Sequence, residues 1–549
     1  MHPHSSPQPT GPDSGPEARS GLGAGLRAGL RAGFGAGSRA GAPSGARSEA
    51  RSGARAGSRS EARVGSGAGS RSGARAGSRS GVRSGTRAPS RSGARRGARL
   101  AAVGAALLLA VTALPAAAPG AAAASGAAAA EPSGRVLVFS KTAGFRHDSI
   151  PEGIAALKEL GEQGGFAVDA TEDAAAFTRG NLARYDAVVF LSTTGDVLDT
   201  AQQSAFERYV RAGGGYVGVH AAADTEYDWP FYAGLVGAYF QSHPAIQQAR
   251  VDVEDHAHPA TAHLGPRWER TDEWYDYRTN PRERVRVLAA LDESSYQGGK
   301  MGEDHPISWC QDYRGGRAFY TGFGHTKESY ADPAFRQHLL GGIRYATGAA
   351  HADCRPEQGY HPIFDGTSTD GWKQAGPGAF TLDTSSGTLT STGGMGLLWY
   401  QARELRSYSL KLDWKMTGDS NSGVFVGFPA SDDPWSAVDN GYEVQIDATD
   451  TPDRTTGSVY GFQSADLAKR DAALNPPGEW NTYEIRVQGE RLRIWLNGVK
   501  INDFTNRDPV RSLRQGYVGI QNHGEGDEVS FRNIRVKDLP AKGGGHHGR

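Results

Sequence analysis

Between residues 135 and 347, short apolar runs alternate with segments of helical spacing. The apolar runs are "RVLVFS" (135–140), "AVVFLSTT" (187–194), "YVGVH" (216–220) and "RAFYTGFGH" (317–325). Ile154, Leu157 and Leu160 lie on one face of a predicted helix that begins near Pro151 and ends at the glycines 164–165. Alternating strands and helices predict an α/β domain, built on a parallel sheet with helices on both faces.

From residue 360 to residue 539 the helical spacing disappears, and short runs rich in Thr, Tyr, Trp and Val take over. These runs include "YSLKLDWKM", "SGVFVGF", "YEVQID", "NTYEIRV", "LRIWLNGVKI", "GYVGIQ" and "VSFRNIRV". Asn497 and Gly498 stand between two alternating runs, which is typical of a tight β-hairpin. The pattern predicts an all-β sandwich or jelly roll, joined to the first domain by a linker at 348–359 and followed by a tail at 540–549.

The first 130 residues fit neither pattern. Residues 1–94 are Gly, Ala, Arg and Ser in near-repeats, and they predict a disordered leader; a start codon placed too far upstream and a nucleic-acid-binding tail are the alternatives. Residues 95–130 combine Arg95, Arg96 and Arg99 with an apolar stretch from Leu100 to Leu114, followed by small residues.

That apolar stretch is shorter than the roughly 20 residues that a membrane span needs. It predicts a secretory signal peptide, and the arginine pair is consistent with a twin-arginine route. We therefore expect a secreted or extracytoplasmic protein without a stable membrane span after cleavage. An uncleaved membrane anchor is the alternative.

The distribution of charge along the chain restricts the kinds of molecule that the protein is expected to bind. Residues 1–100 contain 18 Arg, no Lys and 4 acidic residues. The whole chain has 60 basic and 60 acidic residues, so the rest of the chain has 60 − 18 = 42 basic and 60 − 4 = 56 acidic residues. This mildly acidic remainder argues against a nucleic-acid partner.

The two cysteines, Cys310 and Cys354, could form a disulfide after export or remain as free thiols.

Histidines follow three predicted strands of the first domain. His147, His220 and His325 each stand just beyond an apolar run, and ligands of parallel α/β sheets bind at the carboxyl ends of the strands. Further candidates in nearby loops are Asp224, His243 and Glu273. Imidazoles beside carboxylates suit general acid–base chemistry or a divalent metal, and a purely structural role is the alternative. Because no H-E-x-x-H or C-x-x-C motif is present, the sequence leaves the metal question open.

In the second domain, the run "GYEVQID" places Glu443, Gln445 and Asp447 on one face of a strand. Polar ends of other strands contribute Asn421, Asn522 and His523, and Trp435 offers an aromatic surface of the kind that contacts sugars. A solvated outer face is the alternative. Glu443 and Asp447 would be about 13 Å apart along the strand, too far for the two-carboxylate mechanism of most glycosidases.

The first domain resembles the ThuA-like (trehalose utilisation) family, through "FSKTAGFRHDSI", "GGGYVGVHAAADT", "LVGAYFQSHP", "DEWYDY" and "GRAFYTGFGHT". The resemblance implies a flavodoxin-like fold of the class I glutamine amidotransferase type and a role in sugar metabolism. Amidotransferases of this fold place a nucleophilic Cys after the central strand. Here His220 stands at that place, so thiolate chemistry is not expected.

The second domain resembles the DUF1080 family, also called 3-keto-disaccharide hydrolase, through "PIFDGTSTDGW", "NSGVFVGF", "GYEVQID", "TGSVYGF" and "GYVGIQNHG". The resemblance implies a concanavalin-like jelly roll that cleaves glycosides oxidised at C3. The 3-keto group acidifies the C2 proton, a base removes it, and the C1 substituent leaves from the enolate. We expect Glu443 or His523 to act as the base, with Asn421, Gln445 and Asp447 orienting sugar or metal. Gly427 and Phe428 stand where the family pattern has an arginine.

Three functional hypotheses follow. The leading one is an exported carbohydrate-active protein whose jelly roll cleaves 3-keto-glycosides while the ThuA-like domain assists in sugar processing. The second makes the jelly roll a non-catalytic carbohydrate-binding module that targets the ThuA-like domain. The third is a hydrolase that uses His147, His220 and His325.

Overall fold

The computed structural model describes residues 133–540 of the chain. The predicted leader, signal peptide and C-terminal tail therefore lie outside the described residues, apart from Pro540. Within the described residues, no helix combines the length and apolarity needed to cross a lipid bilayer.

The first domain is a mixed β-sheet with helices. Its strands are β1 (Gly134–Phe139), β2 (Phe166–Thr171), β3 (Ala187–Leu191), β4 (Gly215–Val219), β5 (Phe240–Ser242), β6 (Gln247–Val253), β7 (Arg267–Asp272), β8 (Asp276–Tyr277), β9 (Arg286–Asp292), β10 (His305–Tyr313) and β11 (Gly316–Thr321). Its helices are α1 (Ile150–Gly164), α2 (Arg179–Leu182), α3 (Thr200–Arg211), α4 (Pro230–Val236) and α5 (Pro333–Thr347).

The sheet is only partly parallel, so the expectation of a parallel sheet is corrected. This sheet has nine strands in the order β2-β1-β3-β4-β11-β10-β9-β6-β7, and β5 and β8 form a separate two-stranded sheet. The first five strands run parallel to one another, whereas β10, β9, β6 and β7 each pair antiparallel with their neighbours. Short connections account for the difference: β10 and β11 are joined by a tight turn at Arg314 and Gly315, both with positive φ. A tight turn can join only antiparallel strands.

The second domain is an all-β sandwich, as its sequence predicts. Its strands are β12 (His361–Pro362), β13 (Trp372–Ala375), β14 (Ala379–Asp383), β15 (Thr388–Thr392), β16 (Gly396–Tyr400), β17 (Tyr408–Met416), β18 (Ser422–Phe428), β19 (Tyr442–Ile446), β20 (Asn481–Gln488), β21 (Arg491–Leu496), β22 (Val499–Thr505), β23 (Tyr517–Asn522) and β24 (Val529–Asp538). Two short helices, α6 (Trp435–Asn440) and α7 (Leu467–Asp471), interrupt the strands.

The sandwich pairs two antiparallel sheets. One has the order β14-β15-β24-β17-β20-β21-β22 with β12 added on β24, and the other has the order β13-β16-β23-β18-β19. The predicted hairpin at Asn497 and Gly498 is present, and both residues have the positive φ that such a two-residue turn requires. Apolar residues of both sheets, among them Leu412, Val444 and Ile485, form one buried core between them.

The segment between the domains is tied to the first domain by a covalent bond. Cys310 of β10 and Cys354 form a disulfide, so both cysteines are consumed and neither is a free thiol.

Candidate functional sites in the two domains

The three predicted histidines of the first domain do meet at one edge of the sheet. His147 follows β1, His220 follows β4 directly, and His325 follows β11. The three rings contact one another with centroids 4.9 Å (His147–His220), 5.0 Å (His147–His325) and 5.1 Å (His220–His325) apart. The parallel strands β1, β4 and β11 bring these positions together because their carboxyl ends lie at the same edge.

Glu273 completes this cluster from the residue after β7. Its Oε2 lies 3.3 Å from His220 Nε2 and 3.0 Å from His325 Nδ1, and its Oε1 lies 3.0 Å from His243 Nδ1. His243 is the solvent-facing member, with 43% of its side chain exposed, whereas the side chains of His220 and Glu273 are 0% and 7% exposed. One carboxylate therefore sits among several imidazoles at the mouth of the site.

His220 is held in a demanding backbone conformation. Its φ of 51° is unusual for a residue with a side chain. Its Nδ1 lies 2.9 Å from the Gly322 carbonyl, and the Tyr275 ring lies 4.2 Å from the imidazole. Because a carbonyl oxygen only accepts hydrogen bonds, Nδ1 carries the proton and Nε2 is directed at the cluster. Such strained residues occur preferentially at functional sites.

The cluster shifts the pKa values of its members in opposite directions. Burial, together with the neighbouring His220 and His325, lowers the pKa of His147 to about 3. Burial raises the pKa of the Glu273 carboxyl, but the neighbouring His220 and His325 outweigh it and hold that pKa below its usual value. For His325, burial lowers the pKa and the Glu273 carboxylate raises it, with a net increase. At neutral pH Glu273 is therefore ionised, and His147 is neutral with one ring nitrogen that offers a lone pair.

Asp272 supports the cluster from behind. Its carboxylate accepts hydrogen bonds from the backbone N–H groups of Gly324 (2.9 Å) and His325 (3.1 Å). It also accepts from Ser329 and is paired with Arg270. The turn that carries His325 is therefore fixed to the strand that carries Glu273.

The second domain contains a cavity of about 320 Å³ on its five-stranded sheet. Its lining residues are Met395, Asn421, Trp435, Val438, Glu443, Gln445, Tyr460, Gln521 and His523. Among the described residues Glu443 is the only acidic side chain in this lining. A volume of this order is typical of small-molecule sites. A larger open cavity of about 880 Å³ lies on the other sheet, but its carboxylates Glu490 and Asp503 are already paired with arginines.

Glu443 is buried in the wall of this cavity, and no cation from the described part of the chain lies beside it. Burial raises the pKa of its carboxyl to about 8. Its Oε1 has no hydrogen-bond partner among the described residues. Gly423 on the neighbouring strand β18 makes room for it, since a Cβ there would lie 2.0 Å from Glu443 Oε1. This explains why the sequence has "NSG" at that point.

The other polar residues of the cavity form a short relay. The Gln445 amide donates to Asn421 Oδ1 (3.3 Å), and Asn421 Nδ2 donates to Asp447 Oδ2 (2.7 Å). The buried Oε1 atoms of Gln445 and Gln521 lack partners among the described residues, like that of Glu443. Buried polar atoms are rarely left unpaired in native proteins, so three of them around one cavity indicate a polar ligand.

His523 and Trp435 stand at the rim. Half of the His523 side chain is exposed, and its Nδ1 lies 2.8 Å from Asp527 Oδ2. Trp435 is 56% exposed. By contrast, Trp399, Trp414 and Trp480 are buried among core residues, as expected for structural tryptophans.

Comparison with known protein families agrees with both halves of this description. The ThuA model, described as trehalose utilisation, matches residues 135–346, and a model described as 3-keto-alpha-glucoside-1,2-lyase-like domain matches residues 359–537. The chain carries a ThuA domain followed by a 3-keto-disaccharide hydrolase-like domain.

Individual relatives match one domain each. A Bacteroides thetaiotaomicron protein named 3-keto-disaccharide hydrolase is 26% identical over an alignment of 234 positions. The alignment covers 33% of this chain and 79% of that protein. A ThuA-like protein structure from Bacteroides uniformis is 26% identical and covers 40% of this chain and 93% of that one, with a TM-score of 0.36. A ThuA-like protein structure from Parabacteroides merdae is 21% identical and covers 41% and 97%, with a TM-score of 0.35.

Three predicted site residues lie outside the clusters that the structure forms. Asp224 of the ThuA domain accepts a hydrogen bond from the Tyr227 hydroxyl, and it is not among the donors around Glu273. Asp447 does not line the hydrolase-like cavity; its carboxylate caps the turn at Thr449 and Asp450 and positions Asn421. Asn522 is fully buried, its amide donates to the Ala379 carbonyl, and it is not part of the cavity lining.

The sequence analysis did not single out three residues that belong to the two sites: Gln521, Tyr460 and Tyr275. Gln521 faces the cavity because strand side chains alternate, which puts 521 and 523 on one side and 522 on the other. That alternation was readable in "QNH". Tyr460 comes from an irregular loop, and Tyr275 from a loop between β7 and β8, where no periodicity marks the direction of a side chain.

Proposed function

We propose that this chain is an exported carbohydrate-active protein whose hydrolase-like domain cleaves 3-keto-glycosides, with Glu443 as the general base. The observation that carries the proposal is the buried, cation-free carboxyl of Glu443 in a cavity with unpaired amide oxygens. A relative of this domain is named 3-keto-disaccharide hydrolase, which supports the substrate class.

The composition of the cavity supports elimination over ordinary glycoside hydrolysis. Retaining and inverting glycosidases need two carboxylates on either side of the bond, whereas Glu443 is the only acidic residue that lines this cavity among the described residues. In a 3-keto-glycoside one base suffices: Glu443 removes the C2 proton, the electron pair forms the enolate, and the C1–oxygen bond then breaks. Water adds to the resulting double bond, with its oxygen on C1 and a proton returning to C2.

The neighbouring side chains have matching roles. The amides of Gln445 and Gln521 would bind sugar oxygens and hydroxyls, and Trp435 would pack against the sugar ring. His523, oriented by Asp527, would exchange a proton with the departing oxygen. We assign stabilisation of the enolate oxygen to the hydrogen-bond donors of the cavity.

A direct test compares the mature chain with Glu443→Gln and with the surface control Glu404→Gln, using a 3-keto-glucoside as substrate. We expect Glu443→Gln to lose about 10²–10⁴-fold in kcat while still binding the sugar, because an amide cannot accept the proton and general-base catalysis contributes a factor of that size. Turnover by Glu443→Gln equal to that of Glu404→Gln would contradict the proposal.

A carbohydrate-binding module is the second candidate, and the exposed aromatic rim favours it. Trp435 and Tyr460 are 56% and 37% exposed beside the cavity, as in many sugar-binding surfaces. This candidate predicts binding of unoxidised sugars by the wild type, with no turnover of any 3-keto-glycoside by either variant.

Export is the remaining part of the proposal. It rests on the signal-like segment 95–130, and the Cys310–Cys354 disulfide supports an oxidising compartment. N-terminal sequencing of the protein recovered outside the cytoplasm should begin within the alanine-rich segment 115–130. An intact N-terminus on membrane-bound protein would show an anchor instead.

A further inference from the structure

The donor atoms of the ThuA domain have the spacing of ligands around one ion. His220 Nε2 lies 3.3 Å from Glu273 Oε2 and 3.2 Å from His325 Nδ1, and His325 Nδ1 lies 3.0 Å from Glu273 Oε2. In a tetrahedral zinc site with bonds of about 2.0–2.1 Å, neighbouring ligand atoms are about 3.3 Å apart. The three atoms therefore define one face of such a tetrahedron.

The hydrogen-bonding roles of the facing atoms of His220 and Glu273 support the same interpretation. His220 Nδ1 donates to the Gly322 carbonyl at 2.9 Å, so Nε2 of the neutral ring presents a lone pair. That lone pair faces the Glu273 carboxylate, whose oxygen also only accepts. Two facing acceptors at 3.3 Å repel each other, and a metal ion that both of them coordinate would replace this contact with two attractive ones.

His147 provides the fourth donor. Its ring is 4% exposed, and its Nδ1 has no hydrogen-bond partner among the described residues. One atom from each of His147, His220, Glu273 and His325 lies within 4.8 Å of all the others. A buried imidazole without a partner is costly unless a ligand uses its lone pair.

The supporting contacts are those that metal sites use. Metal-binding histidines commonly donate their second ring nitrogen to a backbone carbonyl, as His220 does to Gly322. Asp272 fixes the turn that carries His325 through the N–H groups of Gly324 and His325. The group formed by Asp276, Glu293 and His305 differs, because its carboxylates already accept from backbone N–H groups of Lys300 and Met301.

We propose that His147, His220, His325 and Glu273 of the ThuA domain bind a divalent transition-metal ion, and that zinc is the ion their N₃O set fits. The ion would lie between His220 and Glu273 and would be shared by all four donors. His243, on the solvent side of Glu273, would orient the carboxylate through its second oxygen. The proposal is independent of the chemistry assigned to the other domain.

The test uses the full mature chain, stripped with EDTA, reloaded with Zn²⁺ and dialysed, with bound metal measured by mass spectrometry. We expect about one zinc per wild-type chain, and at least a tenfold lower content in His220→Ala and Glu273→Gln. The control His361→Ala changes an exposed histidine of the other domain and should match the wild type. His546 and His547 remain in every variant, so metal bound there cannot produce a difference.

A second measurement guards against misfolding of the variants. Reconstitution of the wild type with Co²⁺ should give the intense visible absorption of a four-coordinate ion, and chelation should lower its Tm. Less than a tenth of an ion per wild-type chain after reloading, or equal metal in wild type, His220→Ala and Glu273→Gln, would overturn the proposal.

Discussion

Glu443 carries a thermodynamic cost that its position explains. Its carboxyl titrates near pH 4.5 in an unfolded chain and at about 8 in the folded protein. Between these values the unfolded chain releases a proton that the folded chain retains, so the free energy of unfolding falls as pH rises. At pH 7 the cost is about 3 kcal/mol, at 1.36 kcal/mol per pKa unit. Such a cost is common where burial prepares a group for proton transfer.

The pH dependence of the reaction follows from the same shift. If Glu443 acts as the base, only its ionised form is active, and kcat/KM should rise about tenfold per pH unit below pH 8 and level off above it. Initial rates on a 3-keto-glucoside between pH 5.5 and 9.5, corrected by an enzyme-free blank, measure this profile. A profile that is flat or falls across pH 6–8 would exclude Glu443 as the base.

Single residues divide into those that the sequence could place and those it could not. Strand alternation placed Glu443 and Gln445 on one side, and both line the cavity. The same reasoning failed for Asp447, because β19 ends at Ile446 and the chain turns there.

At the level of elements, the hydrolase-like cavity depends on a position in β18 that has no side chain, Gly423. Gly423 pairs with Gln445 of β19, and Glu443 leans across it. We expect Gly423→Ala to displace the Glu443 carboxyl and reduce kcat by about 10–100-fold, since misplacement by about 1 Å can cost 10²-fold. A control is Gly180→Ala in α2 of the other domain, where a Cβ would meet no atom within 4 Å and the backbone is not in the left-handed region. Equal activity of both variants would show that Gly423 does not limit the site.

Strands were predictable, but their directions were not. The runs beginning at residues 135, 187, 216 and 317 are all strands, and their shared edge brought three histidines together as expected. Glu273 arrives from β7, which the strand order separates from β4 by several strands. No local pattern specifies that contact, because it depends on the path of the antiparallel half of the sheet.

At the level of the whole molecule, the segment between the domains is a structural element. Glu357 in this segment pairs with Arg286 of β9 and with Lys411 and Arg535 of the second domain. Burial raises the pKa of Glu357, but Arg535 and Arg286 outweigh it and lower the pKa. The linker expected at 348–359 therefore holds a buried ion-pair network, which composition alone did not reveal.

The disulfide should add measurably to stability. It closes a loop with a sequence separation of 44 residues, for which the chain-entropy relation gives about 4 kcal/mol as an upper value. Cys354→Ser should lower the free energy of urea unfolding by up to that amount, and Cys310→Ser by the same amount. The losses should not add in the double variant. Identical urea midpoints for wild type and Cys354→Ser in oxidising buffer would contradict this expectation.

The most direct measurement of the central claim is deuterium incorporation at C2 of the sugar. When the mature chain cleaves a 3-keto-glucoside in D₂O, elimination through Glu443 and readdition of water should leave deuterium at C2 of the released 3-keto-glucose, seen by NMR and as a mass increase of about one. Product incubated alone, and substrate incubated with Glu443→Gln, should stay unlabelled over the same time. Released sugar that retains its original C2 proton would contradict the account.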